Sequence, residues 1–362
     1  MKKSLLSVAV LTVFCGAAHA QSNVTLYGLI DEGIDLTSNV GGERAYQLAS
    51  GVLQGSRWGL RGSEDLGGGA RAIFQLENGY DLNTGALRQN GREFGRQAYV
   101  GISSESAGMV TLGRQYDSMV DYVAPLTANG SWGGSFFSHP LDNDNTDNSF
   151  RINNSVKYTS SNYGGLSFGG LYGFGNEPGS MKTNRAWSLG ASYTNGSLTA
   201  AAAYLHLNKP GWTTDGAVTG DAMFVAMRER VAGAGVNYAF GIVTLGGVFT
   251  YSNVGNIAGL SSMIFTNYEV NAKVALTPAL SFGAMYDHSH VRAGSQSGAV
   301  AKGHWNQAGV MADYSISKRT DVYAQVVYQQ ADGLAAANIV GTAGGSSNDH
   351  QGVARVGIRH RF

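Results

Sequence analysis

A two-residue alternation of apolar and polar side chains, renewed in segments of about ten residues, limits this chain more than any other feature. Leu26, Gly28, Ile30, Ile34 and Leu36 fall on one phase, with Tyr27, Asp31 and Asp35 on the other. The arrangement returns at Val322, Ala324, Val326 and Tyr328 against Tyr323, Gln325 and Gln329, and at Ala354, Val356 and Ile358 against Arg355, Arg359 and Arg361. Successive side chains of a strand point to opposite faces, so each segment predicts a strand with one apolar and one polar side.

The connections sort into two kinds. Short turns are expected at 64–69, 104–108, 161–165, Asn195-Gly196, around Phe240-Gly241, at Thr277-Pro278 and at 317–319. Between them, Gly-, Asn-, Ser- and Asp-rich stretches read as long loops at 38–54, 81–91, 117–150, 175–182, 209–228, 255–264, 293–302 and 332–349. Eight long loops and seven short turns separate sixteen strands, and the two kinds fall at opposite ends of the sheet. Stacked β-sandwiches also alternate, but nothing in them gathers every long connection at one end. In a bilayer each backbone N–H and C=O must be paired within the protein, so a spanning sheet closes into a barrel, with an even strand number in single-chain bacterial cases. The expected fold is all-β: a sixteen-stranded antiparallel transmembrane barrel in one domain, 21–362.

Residues 1–20 are set apart from that domain. Lys2 and Lys3 precede an apolar run from Leu5 to Phe14, and Ala18-His19-Ala20 closes the segment, which is the layout of a secretory signal peptide. Its apolar core is too short for a spanning helix. Without it, 23 basic residues face 25 acidic ones, a charge of −2, and Cys15, the chain's one cysteine, is gone. The exported chain is thus expected to hold neither disulfides nor cysteine-bound metal. Its charge balance argues against a nucleic-acid surface.

Polar faces decide what such a barrel can do. Arg57 and Arg61 oppose Trp58 and Leu60, while Arg71, Gln75 and Glu77 oppose Ala72, Phe74 and Leu76. Sealing these groups away from water would cost several kcal/mol for each unpaired charge. Sixteen staves enclose enough space to keep them wet. The pattern therefore predicts a passive, water-filled pore for ions and small hydrophilic solutes.

Four motifs carry a resemblance: Asn23-Val-Thr-Leu-Tyr-Gly-Leu-Ile-Asp; Gly55-Ser-Arg-Trp-Gly-Leu-Arg-Gly-Ser-Glu-Asp-Leu-Gly-Gly-Gly; Gly95-Arg-Gln-Ala-Tyr-Val-Gly with Leu112-Gly-Arg-Gln-Tyr; and Val356-Gly-Ile-Arg-His-Arg-Phe362. In this order they resemble the trimeric general porins of the Gram-negative outer membrane, and most of all the beta-proteobacterial branch of Burkholderia, Bordetella and Neisseria. The resemblance implies a homotrimer in contact with outer-membrane lipids and lipopolysaccharide, no cofactor, and a third long loop folded into the lumen as a constriction. The segment 117–150 has the length for that loop and carries Asp121, Asp142, Asp144 and Asp147. By local motif the facing arginines correspond to Arg57, Arg114 and Arg151. Phe362 resembles the terminal signal read by the outer-membrane assembly machinery.

Phase agrees with a lumenal Arg57 and Arg151. Strict alternation from Val110 and Leu112 sends Arg114 outward, so either the strand ends or bulges there, or the correspondence is misplaced. The loop lacks the family's Pro-Glu-Phe-Gly-type signature; Trp132-Gly-Gly and Phe136-Phe-Ser-His-Pro-Leu stand in that region. Glu32 interrupts the apolar phase of the first strand, which suggests a subunit interface or a rim position. Enzymatic readings fail: His288 and Ser289 alternate in direction beside Asp287 and His290, and no hydrolase elbow or zincin motif accompanies them. Asp142 to Asp147 has no EF-hand spacing, and no metal is assigned. An adhesin, or a sugar-specific porin using Trp132 and Phe136, is the alternative of a different class.

Overall fold

The computed structural model describes residues 23–257 and 259–362; the expected leader, 1–20, lies outside them. Among the described residues there are seventeen strand segments. β1 (Asn23–Val40) is long enough to pair with two of them in succession. Its first part, 23–29, runs against β3 (Arg57–Gly67), and its second, 32–40, against β2 (Glu43–Ser50). β2 and β3 therefore lie end to end as one interrupted stave.

The staves that follow are β4 (Ala70–Gly79), β5 (Gln97–Ser104), β6 (Gly108–Gln115), β7 (Ile152–Thr159), β8 (Leu166–Gly173), β9 (Ala186–Asn195), β10 (Leu198–Asn208) and β11 (Ala226–Phe240). After them come β12 (Val243–Ile257), β13 (Leu260–Ala275), β14 (Leu280–Ser295), β15 (Val300–Ser315), β16 (Thr320–Gly333) and β17 (His350–Arg361). Each pairs antiparallel with the one before it, and β17 returns to β1 over Leu29–Thr37. The seventeen segments make a closed barrel of sixteen staves.

Burial follows the period of two. On β1, Leu26, Ile34 and Leu36 are exposed, while Asp31, Asp35 and Thr37 are buried. The polar side chains thus face inward and a belt of exposed aliphatic and aromatic side chains faces out, as a hydrocarbon surround requires. At the closing seam, Arg355 of β17 donates from Nη1 to Asp35 Oδ1 (2.6 Å) and from Nε to the Tyr323 hydroxyl (2.9 Å), clamping first and last staves from inside. Outside the strands, Phe362 N donates to Gly28 O at 3.0 Å, and Gly28 N returns the bond at 3.1 Å. Its ring lies where any Cβ on Gly28 would come within 2.5 Å.

All seven short turns lie where expected, but three of the long loops do not. β1 and β2 meet at a tight turn through Gly41 and Gly42, both at positive φ, and the loop read at 38–54 is a hairpin followed by the interruption at 51–56. The segments at 255–264 and 293–302 are hairpin tips as well: two residues separate β12 from β13, and Ser295 N donates to Ala299 O at the β14–β15 tip. Their Gly, Ser and Asn content marks strands that run on beyond the apolar belt, where strict alternation fades although the inner face packs Val254, Phe265, Val291 and Trp305 with Ile257 and Met263. The interruption at 51–56 is tied down by Asp31, whose Oδ2 accepts from Leu53 N (2.8 Å) and Gln54 N (3.1 Å).

Candidate functional site

The segment 117–150 is built from short 3-10 and π turns rather than a helix, with Pro125 and Pro140 opening two of them. Its apolar side chains point to two places. Met119, Val123 and Leu126 pack with Leu205, Val231 and Val248. Phe136 and Phe137, both fully buried, pack with Met311, Val327, Val52 and Leu53. Leu205, Val231, Val248, Met311 and Val327 sit on the inward phase of their staves, and Val52 and Leu53 belong to the β2–β3 interruption. Backbone groups of the segment meet inward polar side chains too: Ala128 N donates to Glu269 Oε1 (2.7 Å), and Gln325 and Gln307 donate to Gly133 O (2.6 Å) and Ser138 O (3.1 Å).

One fully buried cluster fastens the segment electrostatically. His139 Nδ1 lies 2.6 Å from Asp144 Oδ2, and its Nε2 lies 3.2 Å from Glu269 Oε2 and 3.6 Å from Asp287 Oδ1. Burial alone would strip the proton from His139, but Asp144 and Asp287 outweigh it and hold the pKa well above 6.5. Burial likewise works against the Asp144 carboxylate, yet the His139 charge prevails and lowers it to about 2. Thr250 Oγ1 donates to the same Asp144 oxygen at 2.5 Å. Ser289 is tied into this inner face through Asn267 and Asp287 (2.6 and 2.7 Å).

On its other side the segment borders a cavity of about 670 Å³, shared with the β2–β3 interruption and the inner wall. Arg57, Arg88, Arg96, Arg151, Lys273, Arg359 and Arg361 line it, and among the described lining residues Asp147 is the one acid. Arg96 is paired with Glu77 (2.8 Å), and Arg57 reaches the same carboxylate only at 3.9 Å, its Nε donating to Gly55 O. Arg151 lies over the Tyr116 ring at 5.6 Å, with Nε lacking a partner. Burial, then repulsion from Arg96, lowers its pKa to about 10, so it remains charged at neutral pH. Burial also raises half-buried Asp147, to about 6, against the pull of Arg151.

Of the residues singled out in the sequence, then, Arg57, Arg151 and Asp147 share the cavity. Arg114 lies apart from it. A β-bulge between Gly113 and Gln115 turns its side chain inward, where it pairs with Asp221 (2.6 Å) and donates to Gly95 O (2.8 Å). Asp121 pairs with Lys157, Asp142 accepts from Asp147 N (2.9 Å) and Ser149 N (3.0 Å), and Asp144 belongs to the His139 cluster. Sequence reasoning missed Arg96, Lys273 and His139. Arg359 and Arg361 could have been found, since their phase against Val356 and Ile358 already pointed them inward. Among the described residues, no group of three or more His, Cys, Asp or Glu is arranged to hold a metal ion.

A closed antiparallel barrel with a polar, partly open interior and an apolar outer belt is a transmembrane β-barrel pore. A family model described as Gram-negative porin matches residues 7–334. An outer membrane porin protein of Bordetella pertussis is 38% identical over 271 residues, 68% of each chain, and outer membrane porin protein 32 of Delftia acidovorans is 31% identical over the whole of both chains. Among solved structures, an anion-selective porin from Comamonas acidovorans superposes with a TM-score of 0.75 at 24% identity, covering 94% of this chain and all of that one. The trimer form of Vibrio cholerae OmpT gives 0.67 at 16% identity, covering 94% and 99%. This chain belongs to the Gram-negative porins, and its general function is diffusion of solutes across the outer membrane.

Proposed function

We propose that the chain is a homotrimeric general diffusion porin whose segment 117–150 folds into the lumen and narrows it, and whose narrow section favours small anions. The observation that carries the reading is the 670 Å³ cavity wall, where Arg57, Arg151 and Lys273 face Asp147 while Arg88, Arg96, Arg359 and Arg361 are paired with Asp81, Glu77 and Asp321. Fixed charges at a narrow, water-filled section govern which ions pass, because salt screens charges farther away than about 8–10 Å. The net charge of the whole chain therefore has little weight beside Arg57 and Arg151. The lumenal position of the loop is supported by its bonds to inward side chains of β13, β15 and β16. Anion selectivity is also named for the Comamonas acidovorans porin, whose likeness to this chain is one of fold.

Planar-bilayer recording tests the reading. Replacing Arg57 and Arg151 together by serine should enlarge the single-channel conductance and move the reversal potential in a salt gradient toward cations, most strongly at low salt. A folded double variant with both quantities unchanged would place the narrow section elsewhere. Liposome swelling with neutral sugars of graded size should show a steady fall with size, whereas one sugar class entering far faster than its size allows would mark a specific channel.

A further inference from the structure

Past the aromatic edge of the belt, the outer face of β14 and β15 carries histidines that the pore does not use. Phe282, Ala284 and Tyr286 are outward side chains of β14 within the belt, and the next two outward positions are His288 and His290. Residues two apart on a strand share a face, so both imidazoles stand on the same side. On β15 the residues directly opposite them are Asn306 and His304. Three imidazoles therefore meet on one small patch, the His304 ring lying 5.8 Å from that of His288 and 6.2 Å from that of His290.

Hydrogen bonds fix which nitrogen faces the patch. Asn306 Oδ1 accepts from His288 Nδ1 at 2.8 Å and from the Tyr286 hydroxyl at 2.7 Å. The proton of a neutral His288 thus sits on Nδ1, which leaves a lone pair on Nε2. His290 Nε2 lies 2.9 Å from that atom, too close for both nitrogens to carry protons. An ion that binds imidazole can take the place of the one proton between them, each ring tilting so that the two lone pairs converge. Two nitrogens at that separation, each about 2.0–2.1 Å from a metal, subtend roughly 90° at it, the cis angle of a tetragonal site and narrower than a tetrahedral one. The bond to Asn306 is also the support that a metal-bound histidine needs on its other nitrogen, since it sets both tautomer and ring orientation.

We propose that His288 and His290 chelate a divalent transition-metal ion at the rim of the barrel, Cu²⁺ in preference to Ni²⁺ and Zn²⁺, with His304 as a third ligand from the neighbouring strand. Among the described residues no three ligands stand ready around one point. Two nitrogens are in place, and the His304 side chain, 37% exposed with Nδ1 4.0 Å from Asp332 Oδ2, has room to turn toward them. Arg292 and Lys302, directly opposed one outward position farther from the belt, repel a cation, but both are exposed, where salt screens the repulsion. Hard cations such as Ca²⁺ and Mg²⁺ are excluded by the donor set, which offers imidazole nitrogen where they require oxygen. The inference concerns the outer face alone and does not depend on ion selectivity in the lumen.

The test uses the full folded chain in nonionic detergent, without a polyhistidine tag and stripped of metal by EDTA. Calorimetric titration with Cu²⁺ should show one ion per chain at micromolar affinity or tighter, and the electron paramagnetic resonance spectrum of the bound ion should show coupling to at least two imidazole nitrogens. Asn306→Ala should weaken binding about tenfold, and Asn306→Asp, which keeps the acceptor for His288, should retain it. His288→Asn and His290→Asn should each weaken it more than Asn306→Ala does, while His350→Asn, at the exposed start of β17, should leave it unchanged. Single-channel conductance of these variants should equal that of the wild type, which shows them folded and separates failure of this inference from failure of the pore reading. Cu²⁺ affinity within twofold of the wild type when His288 and His290 are both replaced overturns the proposal. So does a wild type that binds no Cu²⁺ at micromolar concentration, or a spectrum with a single nitrogen ligand.

Discussion

Asp147 is the residue through which pH should reach the pore. Its carboxyl, raised by burial to about 6, loses its charge as pH falls from 8 to 5, while the arginines around it stay protonated. Anion preference should therefore increase on acidification. Asp147→Asn should show the acidic selectivity at every pH, so reversal potentials of the two proteins should differ at pH 8 and coincide at pH 5; a wild type indifferent to pH would remove Asp147 from the narrow section. His139 acts differently, as a fastener. With its pKa raised, its contribution is complete below 6.5 and lost only as pH rises through the folded value; Asp144, lowered to about 2, contributes in full above 3.8 and loses that contribution as pH falls from there through about 2. The pair thus holds from about pH 4 through neutrality. His139→Leu leaves Asp144, Glu269 and Asp287 facing one another and should cost about 3–5 kcal/mol of loop docking. Limited proteolysis should then cut within 117–150 in the variant and spare the wild type.

Elements are where sequence reading and structure part company. The bulge in β6 depends on Gly113, held at φ +143°, where an added Cβ would stand 2.0 Å from Ala98 O. Gly113→Ala should straighten the strand or strain it by at least about 1–3 kcal/mol, release Arg114 from Asp221, and lower the temperature at which the folded band is lost on electrophoresis. An unchanged transition would mean that the bulge forms without the glycine. Phase was legible wherever a stave is regular, as at Asp31 and Asp35 or Arg355 and Arg359, because one face must meet hydrocarbon. The bulge was not legible, since in a chain with 52 glycines Gly113 carries no mark of its own. Loop partners were hidden for another reason. Asp221 lies 107 residues from Arg114, and Glu269 lies 141 from Ala128, so only closure of the barrel brings them together. Hairpin tips misread as loops have the same origin, for beyond the belt no solvent difference enforces strict alternation.

The height of the wall varies around the whole molecule, and this bears on assembly. β5, β6, β7 and β8 have eight residues each, whereas β11 to β15 have fifteen or sixteen. At about 3.4 Å per residue and a tilt of roughly 40°, eight residues rise only about 21 Å, short of an apolar band of about 25 Å. Lipid against that low wall would have to thin, whereas a second copy of the chain could cover it. The outward side chains of β5 and β6, Val100, Ile102, Val110 and Leu112, are exposed and aliphatic, while β7 and β8 carry Tyr158, Phe168 and Tyr172 on the same face. On the homotrimer reading, β5 and β6 lie at the subunit contact. Mass in detergent, corrected for the bound micelle, should correspond to about three chains. Val100→Glu with Leu112→Glu should release monomers, while Val270→Thr on β13, exposed and on the opposite side of the closed sheet from β5, should leave the trimer intact. A monodisperse wild-type monomer that conducts fully would end the trimer reading, and a trimer indifferent to both glutamates would move the contact to another part of the belt.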